Sequence, residues 1–292
     1  MTPITLEVPT LYDSVAHYDD LFDLWNQVNG DELEVTIRFP HCAFLKQNAV
    51  AFLGGLVRLV QHRGGTVQFD WDSLDSRIRT NLAQQGFLAS FAAQEGPWLG
   101  NSIPFREDRT MDVAGLVDYL KSKWLGRGWI NISQKLRDAI VGRVWEIYAN
   151  AFEHGNSAVG IFSCGQHYPK RKRLDLAVVD FGVGIPSNVR VFVRNANLPA
   201  GRALQWAFQA GNTTKPNGMG RGMGLDLLRE FVKLNRGRLE VFSHDAYAKI
   251  DEKEEKYETR NSMFEGTILN LSLQCDDKHY CFAAEVPDLP LF

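Results

Sequence analysis

The sequence of 292 residues has few of the features of secreted, disulfide-rich or membrane-spanning chains. It holds only four cysteines and no C-x-x-C pair, which excludes a disulfide framework and leaves too few closely spaced ligands for a zinc site. No apolar run reaches the roughly 18 residues of a membrane span, and the first residues lack the basic region of a secretory signal. We therefore expect a soluble protein in the reducing environment of the cytoplasm.

An excess of positive charge is also missing. The chain has 32 Lys and Arg residues against 35 Asp and Glu residues, and its net charge is −3. General nucleic-acid and membrane-surface binders are far more basic, so neither kind of partner is expected. The 45% of hydrophobic residues is typical of a globular protein, and the length favours two domains.

The first half of the chain alternates predicted strands and helices. Residues 32–39 alternate apolar and polar side chains, as a half-buried strand does, and residues 66–71 form a second predicted strand. Residues 48–60 have the length and spacing of a helix. Ser73 is a typical N-cap for another helix, which stops before Gly86. This alternation indicates a small α/β domain.

Two stretches suggest where the domains meet. Glycine and proline are frequent at residues 91–112, which resemble a connector, and a helix is predicted from there to Trp124. We predict a small α/β domain at residues 1–110, a connecting helix and linker at 111–129, and a second domain with a C-terminal extension at 130–292.

Residues 248–262 are the most charged part of the chain, with nine charged residues out of 15. We interpret them as the solvated tip of a hairpin between strands at 239–243 and 266–273. An insertion that contacts a partner is the alternative. The tail adds one more predicted strand, at residues 280–286.

A helix predicted from Ser133 to about His154 presents polar groups along one face. Glu146, Asn150 and His154 recur at steps of four, and each such step returns to within about 40° of the same direction. The amide oxygen of Asn150 can ligate a hard cation, and the carboxylate of Glu146 can orient or deprotonate a water. A solvated helix face would show the same spacing. The apolar face repeats at steps of three and four: Leu136, Ile140, Val144, Ile147 and Ala151.

An apolar strand at residues 174–179 runs directly into Asp180 and two spaced glycines, Gly182 and Gly184. Such a strand end fits a site where the backbone approaches a ligand closely. The carboxylate of Asp180 would accept a hydrogen bond from an amine. A simple strand-to-turn corner is the alternative interpretation.

Alternate glycines at residues 217–224 precede an apolar helix that ends at Gly237. The free N–H groups and the dipole of a helix N-terminus both favour phosphate. The spacing is neither a dinucleotide fingerprint nor a P-loop, and a flexible linker is the alternative. Further along, Gly266 and Thr267 open the last predicted strand of this half.

In this order, the four motifs resemble those of the GHKL ATPase family, which covers topoisomerases, chaperones, mismatch-repair proteins and kinases. Residues 146–155 resemble its N box, residues 180–185 its G1 box, residues 220–225 its G2 box, and Gly266-Thr267 its last motif. The resemblance spans residues 130–273. It implies the Bergerat fold, an α/β sandwich in which a mixed sheet has helices on one face and ATP is held between.

The resemblance implies a role for each matching residue. Asn150 would ligate the Mg²⁺ that bridges the phosphates of ATP, and Glu146 would be the catalytic residue that positions or activates the attacking group. Asp180 would accept the adenine amine, helped by Thr267. The other implied ATP contacts lie beside the adenine or in a lid around the triphosphate: Gly182, Gly184, Lys215, Gly220, Arg221, Gly222, Met223, Gly224 and Leu225.

Residues 31–87 resemble a STAS domain, the fold of anti-anti-sigma factors. Where that family has Asp-Ser-Ser-Gly with a phosphorylated serine, this chain has the four residues Lys-Gln-Asn-Ala at positions 46–49. No hydroxyl group is present there. The resemblance therefore implies a module that binds or positions something and is not phosphorylated at the usual site.

Three functions remain open. The first is a Mg²⁺-dependent ATPase with slow hydrolysis, in which the nucleotide state closes the glycine-rich lid and regulates a protein partner or a homodimer. The second is a serine kinase of the anti-sigma type that acts on a separate chain. A histidine kinase is not favoured, because none of the seven histidines begins a His-Glu phosphoacceptor pattern on a helix ahead of Glu146. The third is an interaction module that ATP gates without turnover.

Overall fold

Two sheets organise this α/β chain, one parallel and one antiparallel. The computed structural model describes residues 2–92, 100–209 and 224–286. Its strands are β1 (Thr2–Glu7), β2 (Leu33–Arg38), β3 (Thr66–Phe69), β4 (Ser102–Asp108), β5 (Ile161–Tyr168), β6 (Arg173–Asp180), β7 (Arg238–Asp251) and β8 (Glu255–Gln274). Its α-helices are α1 (Val15–Gln27), α2 (Gln47–His62), α3 (Ser76–Gln84), α4 (Phe87–Phe91), α5 (Val113–Asp118), α6 (Gln134–His154), α7 (Ile185–Phe192), α8 (Ala200–Ala207) and α9 (Gly224–Leu234).

The parallel sheet has the order β1-β2-β3. Its central strand, β2, buries alternate side chains, Leu33, Val35 and Ile37, as the sequence pattern predicts. Ile4 of β1 lies opposite Val35, and Val67 of β3 lies on the other side. Parallel neighbours need a crossover connection, which α1 and α2 supply here.

The antiparallel sheet has the order β4-β5-β6-β8-β7, and helices cover both of its faces. The mixed sheet that we expected is wrong, because every pair of neighbouring strands in this sheet is antiparallel. The helices of the second half, α6, α8 and α9, lie on one face as expected, and α1 and α2 of the first half cover the other. The layers run from the parallel sheet to α1 and α2, then to the antiparallel sheet, and then to α6, α8 and α9. One face of the antiparallel sheet is largely aliphatic, with Leu176, Val178, Leu239 and Leu271. The face toward α1 and α2 is aromatic, with Phe162, Phe181, Phe242 and Phe264.

Helix α2 is buried on nearly all sides because it lies between the two sheets. Thirteen of its 16 residues are buried, a pattern typical of a helix with apolar neighbours all round. A Cβ at Gly55 would lie 2.1 Å from the ring of Phe181 and 2.7 Å from that of Phe162. The glycine therefore permits the close approach of α2 to the antiparallel sheet.

Predicted helix ends are confirmed in one case and wrong in another. Helix α6 begins after Ser133, whose hydroxyl accepts an N–H of the first turn, and ends at His154. Helix α3 begins later than predicted, and Asp75 caps it in place of Ser73. The Ser73 hydroxyl instead accepts the backbone N–H of Phe39 at 2.9 Å, because a tertiary contact competes for it.

Strand β4 lies in the stretch interpreted as a connector. It forms the edge of the antiparallel sheet by pairing with β5. It also contacts the first half of the chain, where the N–H of Phe105 donates to the carbonyl of Gln85 and Arg58 pairs with Glu107 at 2.8 Å. The boundary predicted at residue 110 thus follows a strand that belongs to the second sheet.

Strands β7 and β8 form a long hairpin whose outer part folds back toward α9. The pairing shifts register around His244, which has a positive φ of 53°. Beyond this bend Ala246 and Tyr247 are buried, and Glu255 near the tip pairs with Arg229 of α9 at 2.7 Å. The predicted hairpin is confirmed, and residues 252–256 at its tip are exposed, while Ala246, Ala248 and Ile250 pack on the molecule.

The strand predicted at residues 280–286 does not form. Tyr280 makes a single bridge to Ile132, and a 3₁₀ turn follows at Ala283–Glu285. No helix within the described residues has both the length and the hydropathy that crossing a membrane requires.

Candidate functional site

Helix α6 places Glu146 and Asn150 on its outer side. Asn150 is exposed, and the side chain of Glu146 keeps 40% of its accessible surface. Arg143, which sequence analysis did not identify, lies one turn earlier, with Nη1 2.6 Å from Oε1 of Glu146. Because residues three apart are neighbours on a helix, this arginine holds the carboxylate along the helix surface. The opposite side of α6 is buried, through Leu136, Ile140, Val141, Val144, Tyr148 and Ala149.

Asp180 ends β6 and is only 5% exposed. The strand register places it opposite Thr267 of β8, whose hydroxyl donates a hydrogen bond to the carboxylate. The N–H of Gly182 donates to Oδ1 at 2.9 Å. Burial raises the pKa of Asp180 to about 6, although both hydrogen bonds act in the other direction. Within the described residues Asp180 forms no ion pair, so its carboxylate remains an acceptor at the end of the sheet.

The turn after Asp180 lies against the C-terminal end of α6. The N–H of Val183 donates to the carbonyl oxygen of Gly155 at 2.8 Å. A Cβ at Gly182 would lie 1.8 Å from that same oxygen, so no other residue fits there without a backbone shift. Gly184 has a φ of 77° and leads into α7. The turn therefore joins the end of β6, the end of α6 and the start of α7.

Ser243 of β7 completes the hydrogen bonds around this turn, although sequence analysis missed it. Its hydroxyl lies 2.9 Å from that of Thr267 and accepts the N–H of Ile185 at 2.8 Å. Ser243 faces Thr267 in the register between β7 and β8. The pairing of these two predicted strands could have pointed to it, but their register is not visible in either strand alone.

Phe181 links this turn to the first half of the chain. Its ring packs 5.2 Å from that of Phe52 on α2 and 5.2 Å from that of Phe264 on β8. The side chain is 8% exposed. The residue between the candidate adenine ligand and its glycine turn is therefore anchored in the interface between the two halves.

Helix α9 begins at Gly224, directly after the glycine-rich stretch, and leads into β7 in the opposite direction. At its far end, the side-chain amide of Asn235 donates to the carbonyl of Gln274 at 2.9 Å and accepts its N–H at 2.6 Å. Gln274 is the last residue of β8 and lies at the end of the sheet remote from Asp180. The N-terminus of α9, about 16 Å away along 11 residues, thus points back toward the end that holds Asp180.

Helices α6 and α9 run in opposite directions. The N–H of Ser133 at the start of α6 donates to the carbonyl of Tyr280 at 2.8 Å, and the ring of Tyr280 packs 5.6 Å from that of Phe231 in α9. The last turns of α6, which carry Asn150, consequently lie on the same side of the molecule as the start of α9. Three of the predicted motifs therefore gather at one end of the antiparallel sheet.

Part of the predicted site falls outside the described residues, namely Lys215, Gly220, Arg221, Gly222 and Met223. Gly224 and Leu225 are the first two residues of α9. No group of three His, Cys, Asp or Glu side chains suited to a metal occurs in the described ranges. A Mg²⁺ ion at Asn150 would accordingly need phosphate and water oxygens as its remaining ligands, as is common for this ion.

No protein-family model matches the chain, and no curated protein sequence matches it. A buried carboxylate, an exposed amide with a neighbouring carboxylate, and a helix N-terminus lie at one end of the sheet. These groups suit, in turn, an amine donor, a hard cation and an anion.

Proposed function

We propose that the chain binds ATP with Mg²⁺ at the Asp180 end of the antiparallel sheet and hydrolyses it slowly. The nucleotide state regulates a protein partner or a second copy of the chain. The observation that carries this proposal is the buried carboxylate of Asp180 beside Thr267, with no cation paired to it in the described residues. Burying such a group is costly, and the amine of adenine would supply a donor that offsets the cost.

Asn150 and Glu146 act on the phosphate side of the site in this proposal. Their oxygen atoms are the hard donors that Mg²⁺ prefers, and both side chains reach solvent. Asn150 holds the ion, and Glu146 orients the attacking water with Arg143 fixing its position. Bound Mg²⁺ neutralises negative charge on the phosphates.

The glycine-rich segment before α9 serves as the lid. The N-terminus of α9 at Gly224 offers free N–H groups and a favourable dipole to the phosphates, and Lys215 and Arg221 add positive charge. In this proposal the second half is a variant of the Bergerat fold that the GHKL resemblance implies, with a sheet whose neighbouring strands are all antiparallel. The first half is a STAS-like module, and the contact between Phe181 and Phe52 connects it to the site.

A serine kinase that acts on a separate chain is the second candidate. It is favoured by the resemblance of residues 146–155 to the N box of anti-sigma serine kinases, next to a STAS-like module in the same chain. Gln47 and Asn48 stand where STAS domains carry the serines of Asp-Ser-Ser-Gly, and both are 0% exposed, so this candidate places the phosphoacceptor on a separate chain.

The deciding experiment incubates the full chain with γ-labelled ATP and Mg²⁺ and follows free phosphate and labelled protein together. Free phosphate from the wild type, but not from Glu146→Ala, identifies an ATPase. Label on an added protein identifies a kinase. Bound ATP without either product identifies an interaction module that ATP gates, whereas failure to bind ATP overturns the proposal.

Binding measurements on three variants test the assigned residues. Asn150→Ala should weaken Mg²⁺-dependent ATP binding at least about tenfold, while Glu146→Ala should bind ATP and lose turnover. Asp180→Asn should reduce the preference for ATP over GTP. Gln134→Ala removes an exposed amide at the other end of α6 and should bind ATP as the wild type does.

A further inference from the structure

A basic cavity lies at the end of the antiparallel sheet remote from Asp180. Its volume is about 380 Å³, and it is open to solvent and bordered by the start of β6, the start of β7, the end of β8 and the tip of the β7–β8 hairpin. Arg173 begins β6 and Asp180 ends it, so about 23 Å of strand separates the cavity from the candidate ATP site. The two places are therefore distinct.

Basic residues outnumber acidic ones among the residues that line this cavity, although Asp13, Glu240 and Glu254 outside the lining also pair with Arg238 and Lys249. Two of the lining residues are acidic, Asp251 and Glu252, and five are basic, which leaves a formal excess of three positive charges. This excess contrasts with the net charge of −3 of the whole chain. The basic lining residues come from three segments of the fold, namely the start of β6, the start of β7 and the hairpin tip: Arg173, Arg236, Arg238, Lys249 and Lys253.

The walls are held by buried contacts. Asn235, which is 0% exposed, binds both backbone groups of Gln274 and so joins the end of α9 to the end of β8. Arg236 follows with a φ of 55°, in the left-handed conformation that ends the helix. At the hairpin tip, Lys249 pairs with Asp251 at 3.0 Å. The cavity therefore exists before any ligand arrives.

Two of the basic side chains, Arg173 and Arg238, are held in place by ion pairs with Asp13. Nη2 of Arg238 lies 2.6 Å from Oδ2 of Asp13, and Nη2 of Arg173 lies 3.5 Å from the same oxygen. Nη2 of Arg173 also donates to the hydroxyl of Ser272 at 2.5 Å. These partners restrict both guanidinium groups, so an anion that binds them would lose little side-chain entropy.

Two other cations have weak or no partners. The side chain of Arg236 is 64% exposed, and its one ion pair among the residues that the structure describes is with the exposed carboxylate of Glu252, at 3.4 Å. Lys253 has no ionic partner among the residues that the structure describes. Exposed pairs of this kind contribute little to stability, so both side chains can turn to a ligand at low cost.

The lining also indicates which kind of anion would bind. It contains no aromatic side chain, and Leu273 is its one hydrophobic residue. A nucleobase would find no surface for stacking there, whereas arginine and lysine match phosphate oxygens well. The volume lies at the lower end of the range for small-molecule sites. We propose that this cavity binds a compact anion that carries at least two phosphate-type negative charges.

Calorimetric titration of the full chain with pyrophosphate tests the proposal. The buffer contains EDTA, so Mg²⁺-dependent binding of phosphates at Asn150 does not contribute. We expect one pyrophosphate per chain, and at least about tenfold weaker binding by the double variant Arg236→Gln/Lys253→Gln. Both side chains are exposed, so the fold should persist, which circular dichroism and urea unfolding would verify.

A matched double variant distinguishes the effect of the charges at the cavity from the effect of the net charge of the chain. Arg77→Gln/Lys135→Gln removes two exposed positive charges elsewhere and should bind pyrophosphate within about twofold of the wild type. Equal weakening by both double variants would overturn the proposal, as would the absence of binding at about 1 mM pyrophosphate. Tighter binding of an oligonucleotide through Arg236 and Lys253 would replace the small anion by a nucleic acid and overturn it too.

The outcome is independent of the proposed ATP site. Asn150→Ala and Asp180→Asn should bind pyrophosphate as the wild type does, because they lie at the other end of the sheet. Loss of pyrophosphate binding in either variant would locate the anion at the candidate ATP site and contradict the assignment to the basic cavity. Failure of ATP binding with intact pyrophosphate binding would overturn only the proposed function.

Discussion

Strand β6 carries a buried carboxylate near each of its ends, and the two carboxylates differ in their partners. Asp175, near the start of the strand, is 0% exposed and has Nζ of Lys46 3.0 Å from its Oδ2. Asp180, at the other end, is also buried but has only hydrogen bonds in the part of the chain that the structure describes. The charge of Asp175 is neutralised by Lys46, whereas the carboxylate of Asp180 is left as an acceptor for a ligand.

The pKa values of Asp180 and of Asp13, which shares Lys46 with Asp175, shift in opposite directions. Burial by itself would raise the pKa of Asp13, but Lys46, Arg238 and Arg173 outweigh it and hold that pKa below its ordinary value. At Asp180 burial is the largest influence and raises the pKa to about 6. Neighbouring cations therefore decide the pKa of Asp13, whereas desolvation decides that of Asp180.

The largest effect is expected from Lys46→Met. It removes a cation that is only 3% exposed and contacts both Asp13 and Asp175, and it leaves the fully buried Asp175 with Arg173, 3.4 Å away, as its ionic partner among the described residues. The free energy of unfolding should fall by about 3–5 kcal/mol. Urea unfolding followed by tryptophan fluorescence would measure the change.

An exposed ion pair provides the control for this substitution. Arg38 and Asp70 lie 3.0 Å apart, with side chains 44% and 31% exposed. Arg38→Gln should therefore cost no more than about 1 kcal/mol. A similar loss in Lys46→Met and Arg38→Gln would show that the buried cluster does not stabilise the fold.

Asp180→Asn should increase stability near neutral pH. The folded-state pKa of Asp180, about 6, lies above its ordinary value of 3.8, so the folded chain binds more protons between these values. Stability from this group is consequently lost as pH rises toward 6, and the charged form costs about 2–3 kcal/mol above it. The variant should exceed the wild type by that amount at about pH 8 and converge with it near pH 4 in urea unfolding.

The same substitution at the other end of β6 should act in the opposite direction. Asp175→Asn removes one of the two carboxylates that contact Lys46 and should lower the free energy of unfolding by about 2 kcal/mol at neutral pH. Changes of the same sign in Asp175→Asn and Asp180→Asn would contradict the distinction between the two ends.

A smaller effect is expected from two glycines near the candidate site. Gly182→Ala places a methyl group 1.8 Å from the carbonyl oxygen of Gly155, and should cost about 1–3 kcal/mol and impair ATP binding. Gly142→Ala meets open space on α6 and should raise stability by up to about 1 kcal/mol. Thermal unfolding and ATP titration of both variants would test this. Unchanged ATP binding by Gly182→Ala would show that this turn does not belong to the ATP site.

Local features were predicted well from the sequence. The end of α6 at His154 and its cap at Ser133 follow from the side chains of a single helix. The outer placement of Glu146 and Asn150 follows from the helical period. Asp180 and Thr267 were associated only through the GHKL resemblance, and the register of β6 and β8 does place them opposite each other.

Features that depend on distant residues were missed. Pro104 interrupts the pattern of β4, which forms because β5 offers it an edge to pair with. Ser73 does not cap α3 as predicted, because its hydroxyl accepts the N–H of Phe39. Ser243 lies at the candidate site because the register between β7 and β8 places it opposite Thr267. The aromatic second face of the antiparallel sheet could not be recognised, because the residues that cover it lie in the other half of the chain.

The sequence by itself determined the α/β class and the helix face that carries Glu146 and Asn150, because helical period and capping depend on residues a few positions apart. Only the tertiary structure decided that Lys46 neutralises Asp13 and Asp175 while Asp180 is buried with hydrogen bonds as its described partners. The physical reason is that desolvation and Coulomb energies depend on distance in space, and folding brings together groups that the chain keeps far apart.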